Sequence, residues 1–289
     1  MGRHSPTLIA VLCLLLAFFA SLQVEAGTIA TGSNHAVAIK SDGTLWAWGN
    51  NGSGQLGDNT FLNRTIPEQI GSVTTWRAVA AGSNFTVALR SDGTLWSWGN
   101  NGSGQLGDGT TTNQTTPAQI GSATTWSAIS AGPNFVVALR SDGTLWAWGN
   151  NGSGQLGDNT FLNRTIPQQI GSVTTWRAVA GGSNFTVALR SDGTLWSWGN
   201  NGSGQLGDGT TTNQTLPERI GTSSGWRALS AGPRFTLALR SDGTLWSWGN
   251  NSSGQLGDGT FVNRAPSRLF PPGCRPLWAG GGLAGPPFR

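Results

Sequence analysis

The chain is expected to be an all-β protein, a β-propeller assembled from repeats of about 50 residues. Three features carry that expectation. The stretch from Ser91 through Trp96, Trp98 and Gly107 to Asp108 returns almost unchanged from Ser41, Ser141, Ser191 and Ser241, always 50 residues apart. A fixed period of that size marks a solenoid, a propeller or an array. Each unit holds four short segments of strand character and no helical period. Finally, 45 glycines and 15 tryptophans, with only 10% charged residues, suit short strands joined by tight turns.

In chain order, the first element is not part of this fold. Residues 1–7 carry Arg3, residues 8–22 form an apolar run, and Val24-Glu25-Ala26 offers a small-x-small cleavage site before Gly27. Residues 1–26 therefore read as a secretory signal peptide. As a helix the run spans roughly 22 Å, short of a bilayer core of about 30 Å. An uncleaved anchor is the alternative. No later segment could span a membrane, so the mature chain is expected outside the cytoplasm, secreted or at the cell surface.

The repeat domain follows over residues 27–264. In its second unit, Trp76 to Gly82 is a short strand with an apolar face. Phe85 to Arg90 alternates, with Phe85, Val87 and Leu89 on one side. Ser91-Asp92-Gly93 is a hairpin turn, since glycine accepts the positive φ that closes a three-residue loop. Thr94 to Trp98 is the return strand, and the Gly- and Asn-rich stretch from Gly99 to Asn113 is a long structured loop. Thr116 to Ile120 makes an edge strand, where Pro117 is tolerated. The units also alternate. Asn59 to Pro67 recurs at Asn159 to Pro167, and Gly109 to Thr115 at Gly209 to Thr215, so the duplicated unit is a pair of blades. After Arg264 the pattern stops. Residues 265–289 are rich in Pro, Gly and Arg, and two origins stay open: an out-of-frame replacement of further repeats, or a genuine tail.

Charge and cysteine narrow the function classes. The net charge of +4 is dispersed, because Arg90, Arg140, Arg190 and Arg240 each have an Asp two positions later. That argues against a nucleic-acid partner. Cys13 lies in the leader and Cys274 in the tail, so the repeats hold no disulfide.

From Trp98-Gly99-Asn100-Asn101-Gly102-Ser103-Gly104-Gln105-Leu106-Gly107, preceded by the Ser-Asp-Gly-Thr-Leu hairpin, the sequence resembles the regulator of chromosome condensation repeat family over about residues 28–264. The resemblance implies a propeller, usually of seven blades. Five copies are visible here, which leaves open whether the ring closes or is incomplete. The family holds a nuclear exchange factor for a small GTPase, secreted bacterial propellers that cap β-lactamases, and repeats appended to surface proteins. Fold does not choose among these. No basic arm or inserted hairpin of the exchange-factor kind is present.

Local motifs favour structure over chemistry. Gly102-Ser103-Gly104-Gln105-Leu106-Gly107 spells a dinucleotide fingerprint but lacks the helix and distant acid that binding needs. Asp108 could join a calcium loop, yet one carboxylate per loop is too few, and a role fixing the backbone is expected instead. Trp96 and Trp98 could stack sugars or bases; packing between blades is the expectation. His35 stands where Phe85 and Phe135 stand in later units and reads as a strand-start variant. Asn63-Arg64-Thr65 and Asn113-Gln114-Thr115 fit the glycosylation triplet by composition. No unit offers a nucleophile with its base, or a metal-ligand cluster, so neither enzyme activity nor a cofactor is expected.

The expected function is an exported binding scaffold for another protein or surface macromolecule. Its candidate partner-binding residues lie in the loops that differ between alternating blades: Phe61, Leu62, Arg64, Phe161, Leu162, Arg164, Phe261 and Arg264. A guanine-nucleotide exchange factor and a structural segment of a longer surface protein are the alternatives. Oligomeric state is not readable.

Overall fold

The computed structural model describes residues 29–269, and within them the chain forms twenty strands and no helix. Residues 1–28, which include the expected signal peptide and Cys13, and residues 270–289 with Cys274 lie outside the described residues. The strands group into five four-stranded antiparallel sheets, each following chain order. The first blade is β1 (Ile29–Thr31), β2 (His35–Ile39), β3 (Leu45–Gly49) and β4 (Arg64–Gln69). The second is β5 (Trp76–Ala81), β6 (Phe85–Arg90), β7 (Leu95–Gly99) and β8 (Gln114–Gln119). The third is β9 (Trp126–Ala131), β10 (Phe135–Arg140), β11 (Leu145–Gly149) and β12 (Arg164–Gln169). The fourth is β13 (Trp176–Gly181), β14 (Phe185–Arg190), β15 (Leu195–Gly199) and β16 (Gln214–Arg219). The fifth is β17 (Trp226–Ala231), β18 (Phe235–Arg240), β19 (Leu245–Gly249) and β20 (Arg264–Leu269).

Alternation along each strand gives every sheet two unlike faces. In the second blade one face carries Phe85, Val87, Leu89 and Leu95, joined by Leu106 and Ile120; the other carries Trp76, Trp96 and Trp98. The first face packs on Trp126, Val136, Ala138 and Trp148 of the third blade. The second packs on Val37, Leu45, Leu56 and Ile70 of the first. The same pairing of a Phe/Leu face with a Trp face recurs between the third and fourth blades and between the fourth and fifth. The hydrophobic core of the molecule therefore lies in the layers between blades, and no blade has a core of its own. The innermost strands touch in sequence, β1 on β5, β5 on β9, β9 on β13 and β13 on β17.

The signature loop locks each blade to the next. Gln55 O in the first blade accepts hydrogen bonds from Trp98 Nε1 and Thr86 Oγ1 of the second, both at 2.9 Å. Room for that indole requires glycine: a Cβ on Gly57, whose φ is +83°, would lie 2.7 Å from Trp98 Nε1. Asn59 N then donates to Thr115 O at 2.9 Å, and Gly109 N to Thr165 O at 2.8 Å. Both donors adopt positive φ, +62° and +84°, which is why Asn and Gly alternate there.

At the other end of the strands the hairpin forms as expected. Asp92 Oδ1 accepts from Thr94 N at 2.9 Å and Thr94 Oγ1 at 2.7 Å, while Gly93 has φ +79°. Those hydrogen bonds from Thr94 hold the Asp92 carboxyl below the usual range. Arg90 closes the layer, its guanidinium 3.5 Å over Trp96 and 4.6 Å from Trp76, which meets Trp96 edge-on at 5.9 Å.

Two details depart from the sequence reading, and a third decides a point that it left open. The outer strand of the second blade starts at Gln114, not Thr116, because the register shifts between Ser97 and Gly99 and admits Pro117 at the irregularity. The fifth blade keeps its outer strand to Leu269, beyond the Arg264 boundary, with Trp246 opposite Leu269. And the ring formed by the described residues is open, one of the two outcomes the sequence allowed. Among the described residues no packing comparable to the internal layers joins β17 or β18 to β1 or β2. Phe235, Leu237, Leu239 and Leu245 are half-buried where Phe85, Val87, Leu89 and Leu95 are sealed.

Candidate functional site

Topology sorts the loops onto two faces. The turns between first and second strands and the long loops between third and fourth strands share one end of the sheets. The Ser-Asp-Gly hairpins and the links between blades occupy the other. On the first face the central turns of all five blades line a depression of about 250 Å³, walled by small residues such as Gly32, Gly82, Gly132 and Gly182. It carries no charged side chain.

Further out, the long loops are held from within by one asparagine. Asn51 Nδ2 donates to Asp58 Oδ1 at 2.9 Å and to Thr60 O at 3.0 Å, and its Oδ1 accepts from Leu56 N at 2.9 Å. Its backbone N donates to Asn63 Oδ1 at 2.8 Å. Asp58 Oδ1 also accepts from Thr60 N at 3.0 Å, so the aspartate fixes the loop as expected. Although burial alone would raise it, the Asp58 carboxyl lies below its usual range, because Thr60, Arg64 and Asn51 donate to it. The same set repeats at Asn151, Asp158 and Thr160.

On this frame the predicted residues divide. Phe61 and Leu62 stand 58% and 64% exposed at the loop tip, Phe161 and Leu162 are nearly identical, and Phe261 is 74% exposed. They are not tucked against the blade edge. The arginines are. Arg64 Nε donates to Asp58 Oδ2 at 2.7 Å and lies 2.7 Å from Glu68; Arg164 pairs with Asp158 and Arg264 with Asp258. In the alternating blades Gln114 reaches Asp108 from the same place at 3.4 Å, with Thr111 and Thr112 at the tip. Arginine and glutamine thus do one job, bracing the loop, while the Phe-Leu tips decorate every second blade.

Several residues beside the tips were not anticipated. Ile66, Ile166 and Leu216 are exposed on the outer strands, at positions the alternation of an edge strand should have flagged. A cleft of about 440 Å³ between the second and third blades is lined by Trp126, Trp146, Arg140 and Ile166, and by Ala123 where two of the other layers have Val73 and Val173 and the last has Ser223. Arg234 replaces the asparagine of the other central turns and lines a shallow polar cleft of about 290 Å³ with Asn184 and Asn200.

His35 is buried, its Nε2 3.1 Å from Thr86 Oγ1 and its Nδ1 without a partner. Since Thr86 Oγ1 already donates to Gln55 O, His35 must donate from Nε2. Burial pushes its imidazole down to about 4. Trp98 and Trp148 are fully buried between blades, the structural role expected of the paired tryptophans. The glycine-rich fingerprint forms a turn with Gly104 and Gly107 both at φ +77°. Among the described residues no three His, Cys, Asp or Glu side chains gather as metal ligands, and no helix is long and apolar enough to cross a membrane.

Comparison with known proteins agrees with this architecture. The family profile of the RCC1-like domain matches residues 3–280. Over 64 residues, 22% of this chain and 6% of the relative, the sequence is 36% identical to the X-linked retinitis pigmentosa GTPase regulator of Canis lupus familiaris. Human WBSCR16 superposes with a TM-score of 0.75 at 23% identity, over 84% of this chain and 66% of that one. Prp20p from Saccharomyces cerevisiae, studied with its binding to Gsp1p and histones, gives a TM-score of 0.75 at 22% identity, over 84% and 62%. Yeast RCC1 (Prp20) bound to Kap60 gives 0.74 at 21%, over 84% and 60%. The chain thus spans less than two thirds of these relatives, and at such identities the structural likeness is one of fold.

Proposed function

The chain belongs to the RCC1-like domain family, and from that membership we propose that it is an exported, non-enzymatic scaffold that captures another protein through the apolar loop tips of one propeller face. The observation that carries this reading is the row of Phe61-Leu62, Phe161-Leu162 and Phe261-Val262, all exposed, on loops braced by Asn51-type networks. A rigid loop with an exposed aromatic loses little entropy on binding and offers a large apolar contact. Threonines at the alternating tips, such as Thr111 and Thr112, supply an internal control.

The test places a photo-crosslinking phenylalanine analogue at position 161 or, separately, at position 111 in the producing cell, and identifies adducts by mass spectrometry. A defined protein adduct from position 161 with at least tenfold less from position 111 supports capture by the apolar tips. Equal labelling from both positions refutes it. A second reading, a regulator of a small GTPase, is favoured by the names of two relatives, the canine GTPase regulator and the Gsp1p-binding Prp20p. Acceleration of nucleotide release from Gsp1p by the purified chain would select it.

A further inference from the structure

One central turn differs from its copies in charge. The turn between the first two strands carries Asn34, Asn84, Asn134 and Asn184 in the first four blades, and Arg234 in the fifth. Arg234 is exposed, and among the described residues no carboxylate pairs with its guanidinium. The cleft of about 290 Å³ that it lines with Asn184, Asn200, Ser203 and Gln205 contains no acidic side chain. We propose that this cleft, between the fourth and fifth blades, binds a phosphate group, free or esterified.

Internal hydrogen bonds decide what the cleft has left to offer. Gly202 N and Gln205 Nε2 both donate to Asn200 Oδ1, at 3.3 and 2.6 Å. Ser203 N donates to Gln205 Oε1 at 2.8 Å, which fixes the orientation of that amide. Gln155 Nε2 donates to Asn184 Oδ1 at 3.5 Å. The acceptor half of each asparagine is thus in use. Among the described residues both Nδ2 groups, the Ser203 hydroxyl and the Arg234 guanidinium are left without a protein partner.

The exchange at position 234 also removes an acceptor. Gln55 Nε2 reaches Asn84 Oδ1 at 3.4 Å, as Gln155 reaches Asn184, whereas arginine offers Gln205 nothing to donate to. A bound oxyanion supplies the acceptors that this set of donors lacks. The planar guanidinium fork grips two of its oxygens. A phosphate monoester has a third oxygen left for the amides, where a carboxylate has none. The cleft is smaller than the roughly 300 Å³ at which pockets for drug-sized ligands begin, so a small group suits it.

The layer between the second and third blades is a control built into the chain. Its corresponding positions hold Asn84, Asn100, Ser103 and Gln105, with Asn134 in the place of Arg234. Gln105 Nε2 again donates to Asn100 Oδ1 at 2.6 Å. Position for position, the two linings differ at residue 134 against 234 alone.

The experiment titrates the full chain with inorganic phosphate and with phenyl phosphate at constant ionic strength, and follows binding by phosphorus NMR. Saturable binding is expected, weakened at least tenfold by Arg234→Asn. That substitution restores the residue of the other turns, so the melting temperature should not move. Asn134→Arg should double the phosphate bound at saturation. Uptake of both ligands supports a site for a phosphate-bearing molecule, and uptake of inorganic phosphate alone supports one for the free ion. No saturable binding, or binding indifferent to Arg234→Asn, overturns the proposal. Acetate that displaces phosphate at equal concentration overturns it as well, by making the cleft a carboxylate site.

Discussion

Replacing His35 with Phe isolates one buried ionisable group inside a layer whose other copies show what phenylalanine does there. Folded, the imidazole titrates at about 4; unfolded, it titrates at 6.5. Between those values the unfolded chain binds a proton that the folded one refuses. Stability therefore falls as pH drops from 6.5 to 4 and the loss levels off below. The full loss is roughly 3 kcal/mol, at 1.36 kcal/mol per pH unit of separation. His35→Phe removes that dependence. At pH 7 it gives up the bond to Thr86, about 1 kcal/mol, but removes the unpaired Nδ1 and buries a ring that Gly32 admits as Gly82 admits Phe85. Near-neutral stability at pH 7 is expected, and about 3 kcal/mol of advantage at pH 4. Thermal melts of both proteins at pH 7, 5.5 and 4, with amide exchange in β2 to report the first blade, measure the difference; the repeat aspartates are common to both and cancel. A His35 imidazole titrating near 6.5 by NMR, or parallel pH curves for the two proteins, would refute the reasoning.

Glycine substitutions should separate crowding from backbone strain. Gly107→Ala places a Cβ 2.7 Å from Trp148 Nε1 at φ +77° and should cost more than about 3 kcal/mol in denaturant unfolding, whereas Gly121→Ala, at φ +61° with nothing within 4 Å, should cost only about 1 kcal/mol. Arg164→Gln should be nearly silent in the melting temperature because Gln114 braces the second blade from the same position, while Arg164→Ala should lose about 1 kcal/mol. Phe161→Ser should leave melting unchanged and cut adducts from the crosslinking analogue placed at the neighbouring position 162 at least tenfold. Mass spectrometry of chain recovered outside the producing cell should find a mature start at Gly27; a chain found only inside, starting at Met1, would remove export from the proposal.

Much of this architecture could be read from the chain because the repeat supplies its own comparisons. Phe85, Val87 and Leu89 alternate, Gly93 marks a turn, and the identical spacing of Trp96 and Trp98 in every unit requires a role common to every unit. What could not be read is direction. Sequence pairs Trp98 with nothing in particular; only the fold shows that its indole donates to Gln55, 43 residues earlier. The same holds for the outer strand of the last blade. Its pairing runs through the backbone, so a change of side-chain pattern at Ala265 hid a strand that continues to Leu269. The arginines were misleading for another reason. Arg64 alternates with Gln114, as a variable surface residue would, yet both serve an aspartate that is the same in every blade, six positions before each. Reading the invariant partner before the variable one would have found the brace and left the Phe-Leu tips as the exposed remainder.

The near-identity of the four layers has a kinetic side. A chain made from its N-terminus presents Gln55, Gln105, Gln155 and Gln205 in turn, each at the same place in its loop: Gln55 O and Gln105 O accept from Trp98 and Trp148, and Gly157 and Gly207 lie against Trp198 and Trp248 as Gly57 and Gly107 lie against those two. Nothing in the residues of that loop tells Trp98 from Trp198, since the copied pairs of blades are almost the same. Discrimination rests on arrival order and on the short links between blades. A chain refolded from denaturant, with every blade available at once, can dock a tryptophan one pair too far along and loop out the blades between. Such skipped-blade traps would slow refolding and favour exchange of blades between molecules at high concentration, a cost that folding during synthesis avoids.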